Sequence, residues 1–214
     1  EAAYEIRRAM GDRPAQVRSL NNLGLIHKWL GHLDSAERIH RDMVTLQQDI
    51  HEYSTIAESQ ANLVQTLSHV GKYDQAYQVG MEALESARAR GNRAHEAIII
   101  IAATNALLNL GQYEPARQLV AGTLAVVREK GQRSHEGTLH QLYGDLALVG
   151  GSYGEALTAY HLSLEILQQI ARLTVVWPLS GLGQAAYRQG DLPQARKYII
   201  AAMTSALNSK NFFI

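Results

Sequence analysis

The sequence predicts an all-α protein, an α-helical repeat solenoid built from five antiparallel helix hairpins. Three observations lead there. A six-residue string recurs as Gly31-His-Leu33-Asp-Ser-Ala36, Gly71-Lys-Tyr73-Asp-Gln-Ala76, Gly111-Gln-Tyr113-Glu-Pro-Ala116, Gly151-Ser-Tyr153-Gly-Glu-Ala156 and Gly190-Asp-Leu192-Pro-Gln-Ala195, with glycine steps of 40, 40, 40 and 39. A second set of glycines, Gly11, Gly91 and Gly131, runs in antiphase, with His51 and Ala171 in the remaining slots. Between successive breaks lie stretches of about 16 residues whose apolar positions follow helical spacing. A fixed period of this length is the signature of stacked supersecondary units.

Residues 1–10 read as the end of a preceding amphipathic helix, and because the chain opens on Glu1 the sequence is expected to be a segment of a longer protein. Repeats are then predicted at 11–50, 51–90, 91–130, 131–170 and 171–208, with 209–214 as the start of a further repeat or a tail. First helices are predicted over Pro14–Leu30, Tyr53–Val70, Arg93–Leu110, Arg133–Val149 and Leu173–Gln189; second helices begin near Asp34, Asp74, Glu114, Gly154 and Pro193. The recurring turn has a mechanical logic. Glycine ends the first helix in a left-handed cap. Asp34, Asp74 and Glu114 face the positive end of the second helix dipole. Pro115 and Pro193 fall in that first turn, where a missing N–H is harmless. The Leu or Tyr at the third position is expected to plug between the two helices, and the Ala at the sixth to let their backbones approach.

Composition narrows the function. Twenty Lys+Arg balance twenty Asp+Glu, so no basic field marks nucleic acid or an anionic membrane as partner. The absence of cysteine excludes a disulfide scaffold, a thiolate zinc site and a cysteine nucleophile. Four prolines and 46% hydrophobic residues argue against disorder. The longest apolar stretch, Ala97–Ala103, is far short of the roughly 20 residues of a membrane span. A cytoplasmic location and no cofactor are expected.

The pattern Leu20-x-x-Leu23-Gly24 followed by Gly31-x-Leu33-x-x-Ala36 resembles the tetratricopeptide repeat, and the likeness runs from residue 11 to about 208. Gly144 and Gly183 take the place of Gly24 in the fourth and fifth repeats. Val64 and Thr104 stand there in the second and third, where looser helix packing is expected. The period of 40, against the usual 34 or so, is similar to the longer-helix variant of bacterial transcription activators of the MalT kind, LGN-type adaptors and kinesin light chains. The resemblance implies a right-handed superhelix whose concave groove, lined by the first helices, binds a protein or peptide. It implies a non-catalytic scaffold within a larger bacterial signalling or transcription-regulatory protein. The alternatives are a spacer that self-associates through open solenoid ends, and a small-molecule or peptide sensor.

Carried over repeat by repeat, the family's groove positions fall on Asn21, Leu25, Lys28 and Trp29, then on Gln65 and His69. They continue with Ile98, Ile101, Asn105, Leu108 and Asn109, with Gln141, Asp145 and Leu148, and with Trp177, Gln184, Tyr187 and Arg188. Asn105, Asn109 and Gln141 are expected to hydrogen-bond a peptide backbone. Ile98–Ile101 covers the whole circumference of its helix, so an isoleucine looks into the groove unless packing or a second copy of the chain covers it. Asn21 and Leu25 stand where the chaperone-tail version of the family wants Lys and Asn, so that specificity is not carried over.

The sequence completes no catalytic or metal-binding constellation. His135 and His140 are five residues apart, which turns their imidazoles about 140° from one another on a helix and prevents a shared zinc ion. His95-Glu96 and His135-Glu136 are one period apart and read as a helix-start feature. Gly181-Leu-Gly183 imitates a dinucleotide loop but lies inside a predicted helix, and there is no phosphate-binding G-x-x-x-x-G-K-[ST] string. The ten tyrosines, several locked to repeat positions, read as wedges between helices rather than a ligand cage.

Overall fold

A computed structural model describes residues 2–91, 95–170 and 175–210. Every regular element among them is a helix: α1 (Ala2–Ala9), α2 (Arg13–Trp29), α3 (Leu33–Asp49), α4 (Ile56–Val70), α5 (Tyr73–Ala89), α6 (Glu96–Asn109), α7 (Tyr113–Glu129), α8 (Arg133–Val149), α9 (Tyr153–Gln168), α10 (Val176–Arg188) and α11 (Leu192–Lys210). The chain divides into two compact units, Glu1–Gly111 and Gln112–Ile214, and the division falls between the two helices of the 91–130 period.

The breaks are backbone devices. At Gly131, φ is +63°, and the N–H of Gln132 reaches back to the Val127 carbonyl at 2.9 Å, closing the carbonyl end of α7. His51 makes the same turn with φ +55°, the one non-glycine among the described residues in that region. The following helix starts later than predicted. Glu52 Oε1 accepts from the Ser54 backbone N–H at 2.9 Å, and the Tyr53 ring lies 4.0 Å under the Arg90 guanidinium, so α4 begins at Ile56 rather than Tyr53. The predicted starts at Arg93 and Leu173, the Ala171 slot and residues 211–214 lie outside the described residues.

Packing within each hairpin rests on small residues. Ala36, Ala76, Ala116 and Ala156 are fully buried. The third-position wedge holds only in part: Leu33, Tyr73 and Tyr153 are half-buried, but Tyr113 and Leu192 are exposed. A second pairing, sixteen positions across the hairpin, sets the crossing distance. A Cβ on Gly24 would stand 2.3 Å from the His40 ring, one on Gly144 2.6 Å from the Tyr160 ring, and one on Gly183 2.6 Å from Ile199. The second hairpin departs from this. Val64 is fully buried, and a Cβ on Gly80 would make only an ordinary 3.7 Å contact with it; the tight approach there, 3.0 Å, is to Ala103 of α6. Val64 leaves no exposed gap, and the glycine of this hairpin, Gly80, serves the approach of α5 to α6 instead. Thr104 is likewise buried.

Unit one is cored by Val17, Leu20 and Met43, and by a larger cluster that includes Leu63, Val64, Leu67, Ala102 and Ala106. Unit two is cored around Tyr160, with Leu167, Leu179, Leu182 and Ala185 packed about it.

The glutamates that open α6 and α8 do more than face a dipole. Arg88 reaches Glu96 at 3.3 Å, and one period later Arg128 and Arg133 reach Glu136 at 2.9 and 2.8 Å. Burial alone would raise the Glu136 carboxyl, but the two arginine hydrogen bonds outweigh it and hold the group below its ordinary value. The arginines keep about half their side chains in water while Glu136 does not. Replacing both with Met, which strands a buried carboxylate, is therefore expected to cost about 3 kcal/mol, against about 1 kcal/mol for Glu136→Ala. Urea denaturation of the two variants reads the asymmetry directly.

Candidate functional site

The first helices of each unit carry the predicted binding residues, and the two units present different chemistry. In unit one, Asn21, Leu25, Lys28, Gln65, Ile98, Asn105 and Leu108 are half-buried, and Trp29, His69 and Asn109 are exposed. Two side-chain bridges tie α2 to α4: Asn62 Nδ2 donates to Asn21 Oδ1 at 3.0 Å, and Lys28 Nζ donates to Gln65 Oε1 at 3.3 Å. Burial lowers the Lys28 ammonium's pKa, and burial with the nearby Lys28 charge lowers that of His69. Asn62 was not among the predicted residues; its offset of 41 from Asn21, close to one period, is the signal that could have found it.

Ile99, Ile100 and Ile101 are buried, and Ile98 packs partly against the core. Of the two fates open to the isoleucine run, packing takes these three. Helix α6 is apolar nearly all round, as a helix covered on several sides must be. The neighbouring amides serve their own helix. Asn105 Nδ2 donates to the Ile101 carbonyl at 3.0 Å and Asn109 Nδ2 to the Asn105 carbonyl at 2.7 Å, leaving their side-chain oxygens as acceptors.

In unit two, Gln141, Asp145 and Leu148 are half-buried on α8, and Trp177, Gln184, Tyr187 and Arg188 are exposed on α10. Asp145 sits where the hairpin's buried tyrosine surfaces. Its Oδ1 accepts from the Tyr160 hydroxyl at 2.7 Å and its Oδ2 from Gln141 at 3.4 Å. Burial raises the Asp145 carboxyl despite both hydrogen bonds, and burial together with the Asp145 charge raises the Tyr160 phenol. Trp177 is 68% exposed, an unusual position for a large aromatic ring.

His140 lies buried against Arg128, at 2.8 Å, and its five-residue offset from His135 along α8 turns the two rings about 140° apart. Among the described residues no three His, Cys, Asp or Glu side chains are grouped to hold a metal ion, and no helix is long and apolar enough to cross a membrane. Gly181 and Gly183 both lie within α10, packed on Tyr160 and Ile199.

Alternating hairpins with glycine-ended first helices and small–large crossings define the repeat, and the comparisons agree with it. The family model described as tetratricopeptide repeat matches residues 17–52. Those residues are a tetratricopeptide repeat. The same fold extends along the rest of the chain. BtubC (BKLC) from P. vanneervenii is similar at 16% identity and a TM-score of 0.75, over 98% of this chain and 89% of that one. A Podosopora anserina putative kinesin light chain with nearly identical TPR-like repeats follows at 14% identity and 0.66, over 92% and 98%. MamA from Desulfovibrio magneticus RS-1 gives 16% and 0.53, over 90% and 96%. No curated protein sequence matches the chain. These likenesses establish a tetratricopeptide-type helical repeat, an architecture whose stacked units expose binding surface along their length.

Proposed function

We propose that the chain is a non-catalytic scaffold module that binds a protein or peptide partner on the exposed side of its first helices. The observation that carries this is in unit one. Asn21–Asn62 and Lys28–Gln65 form a cross-linked polar row spanning two repeats, and the adjacent Trp29 leaves 75% of its surface in water. Polar side chains already held in place lose little freedom on binding a backbone, and an exposed indole supplies the apolar anchor typical of interface hot spots. Service within a larger regulatory protein of the cytoplasm, as the family resemblance suggests, belongs to the same proposal.

A peptide array probed with the full chain tests it. A selected ligand is expected to lose at least tenfold in affinity with Trp29→Ala if it docks on unit one, or with Trp177→Ala if it docks on unit two. A ligand indifferent to both substitutions would sink the assignment. A second reading, self-association, draws on α11, where Ile200, Met203 and Leu207 are each at least 52% exposed. Light scattering that finds only monomer at high concentration would remove it.

A further inference from the structure

Unit two holds a cleft of about 450 Å³ between the second helices α7 and α9, floored by α8, on different residues from the proposed partner surface. The size is that of small-molecule sites. Its walls are Leu124, Tyr143, Ala159 and Leu162, and Arg128 with His140 stands at one end.

The cleft is built where this repeat departs from the three before it. Leu162 occupies a slot held one, two and three periods earlier by Gly122, Glu82 and Asp42, and it is 40% exposed. Gly154 replaces the acid found at Asp34, Asp74 and Glu114, with nothing within 4 Å of where its Cβ would be. Tyr143 stands where the other repeats carry Leu23, Leu63, Ala103 and Leu182. The acid missing at Gly154 stands one residue on, at Glu155, where the three earlier repeats carry Ser35, Gln75 and Pro115, while Leu162 keeps the middle of the cleft free of negative charge and lays apolar surface open to water.

The charge that remains is polarised. Arg128 donates from Nε to Glu136 and from Nη2 to His140 Nε2, which uses two of the five N–H groups of a guanidinium, and its side chain stays 53% exposed. Arg133 covers the other oxygen of Glu136, so the three charges sum to +1. Glu155 lies at the opposite end. A Cβ on Gly144 would meet Tyr160 and one on Gly137 would meet Leu167, so His140 stands level with residues 163 and 164, more than two turns from Glu155.

We propose that this cleft binds a small carboxylate amphiphile, its apolar body between Leu124 and Leu162 and its head on Arg128. The orientation follows from Glu155, which repels an anionic head from the other end.

Isothermal titration of the full chain with decanoate tests this, with decyltrimethylammonium as the cationic counterpart of equal chain length. Decanoate is expected to bind one to one, and the cation at least tenfold more weakly. Arg128→Gln should weaken decanoate about tenfold, the worth of a charge-assisted hydrogen bond. Leu162→Asp should abolish binding, and because that side chain is already partly in water the variant keeps its fold and decides the matter if Arg128→Gln does not. Trp29→Ala should leave decanoate binding unchanged. No saturable binding at millimolar decanoate, equal binding of the two amphiphiles, or indifference to Leu162→Asp overturns the proposal.

Discussion

Gly181→Ala is expected to lower the stability of the chain by about 3 kcal/mol, the upper range for overpacking a closed core. The added methyl would stand 2.4 Å from two ring carbons of Tyr160, a distance at which something must move. The ring cannot yield. Gly144 of α8 also lies close to the ring, where a Cβ of its own would stand 2.6 Å from Cε1, and the hydroxyl is held on Asp145 at 2.7 Å. Alanine's better helix propensity, roughly 1 kcal/mol, offsets only part of this. Gly122→Ala in α7 is the matched control, since nothing lies within 4 Å of its Cβ position and the propensity gain stands alone. It should therefore stabilise by about 1 kcal/mol. Urea midpoints of the two variants should move in opposite directions. If Gly181→Ala is neutral, Tyr160 is not clamped as described; if the clash is the cause, Tyr160→Leu in the same chain should recover part of the loss.

The reach of the sequence is visible in the same residues. Helices and breaks were legible because the glycine string recurs, and a left-handed turn tolerates few other residues. Crossing distances were not, because a glycine's partner lies on another helix and is not the same in every hairpin: Gly24 faces His40 sixteen positions on, whereas Gly80 faces Ala103 of the next hairpin. Val64 taken on its own helix predicts a gap, yet the side chain is fully buried. The predicted binding face shows the same division. Trp29, Trp177 and Tyr187 are exposed, and no partner within the repeat requires them to be otherwise. Ile101 is buried, because which side of an all-apolar helix stays open depends on its neighbours rather than on its own period. The Arg128–Glu136 pair had a sequence signal, an Arg and a Glu eight residues apart repeated at 88 and 96, but its burial did not.

Acid is expected to destabilise unit one through His40. The ring is fully buried in the space left by Gly24, and its Nδ1 lies 2.9 Å from Thr66 Oγ1. The threonine hydroxyl donates to the Asn62 carbonyl, so Nδ1 carries the hydrogen and donates to the hydroxyl oxygen. Nε2 then bears the lone pair, with no hydrogen-bond partner among the described residues, and a proton added there would be a buried charge. Burial first, and the Lys28 charge second, lower the pKa from 6.5 to about 4. The folded state thus binds this proton less readily than the unfolded state. The stabilisation is complete above the unfolded value of 6.5 and drains as pH falls toward 4. Between pH 7 and 5 the loss from this one group is about 2 kcal/mol by linkage. His69 and His140 are shifted in the same direction and add to the slope. The contribution of His40 is therefore read as a difference: unfolding free energies of the wild type and His40→Gln, measured by urea at pH 7, 6 and 5, should converge by about 2 kcal/mol as the pH is lowered. Parallel lines would mean that His40 is protonated in the folded chain, and that the space beside Gly24 accommodates an imidazolium.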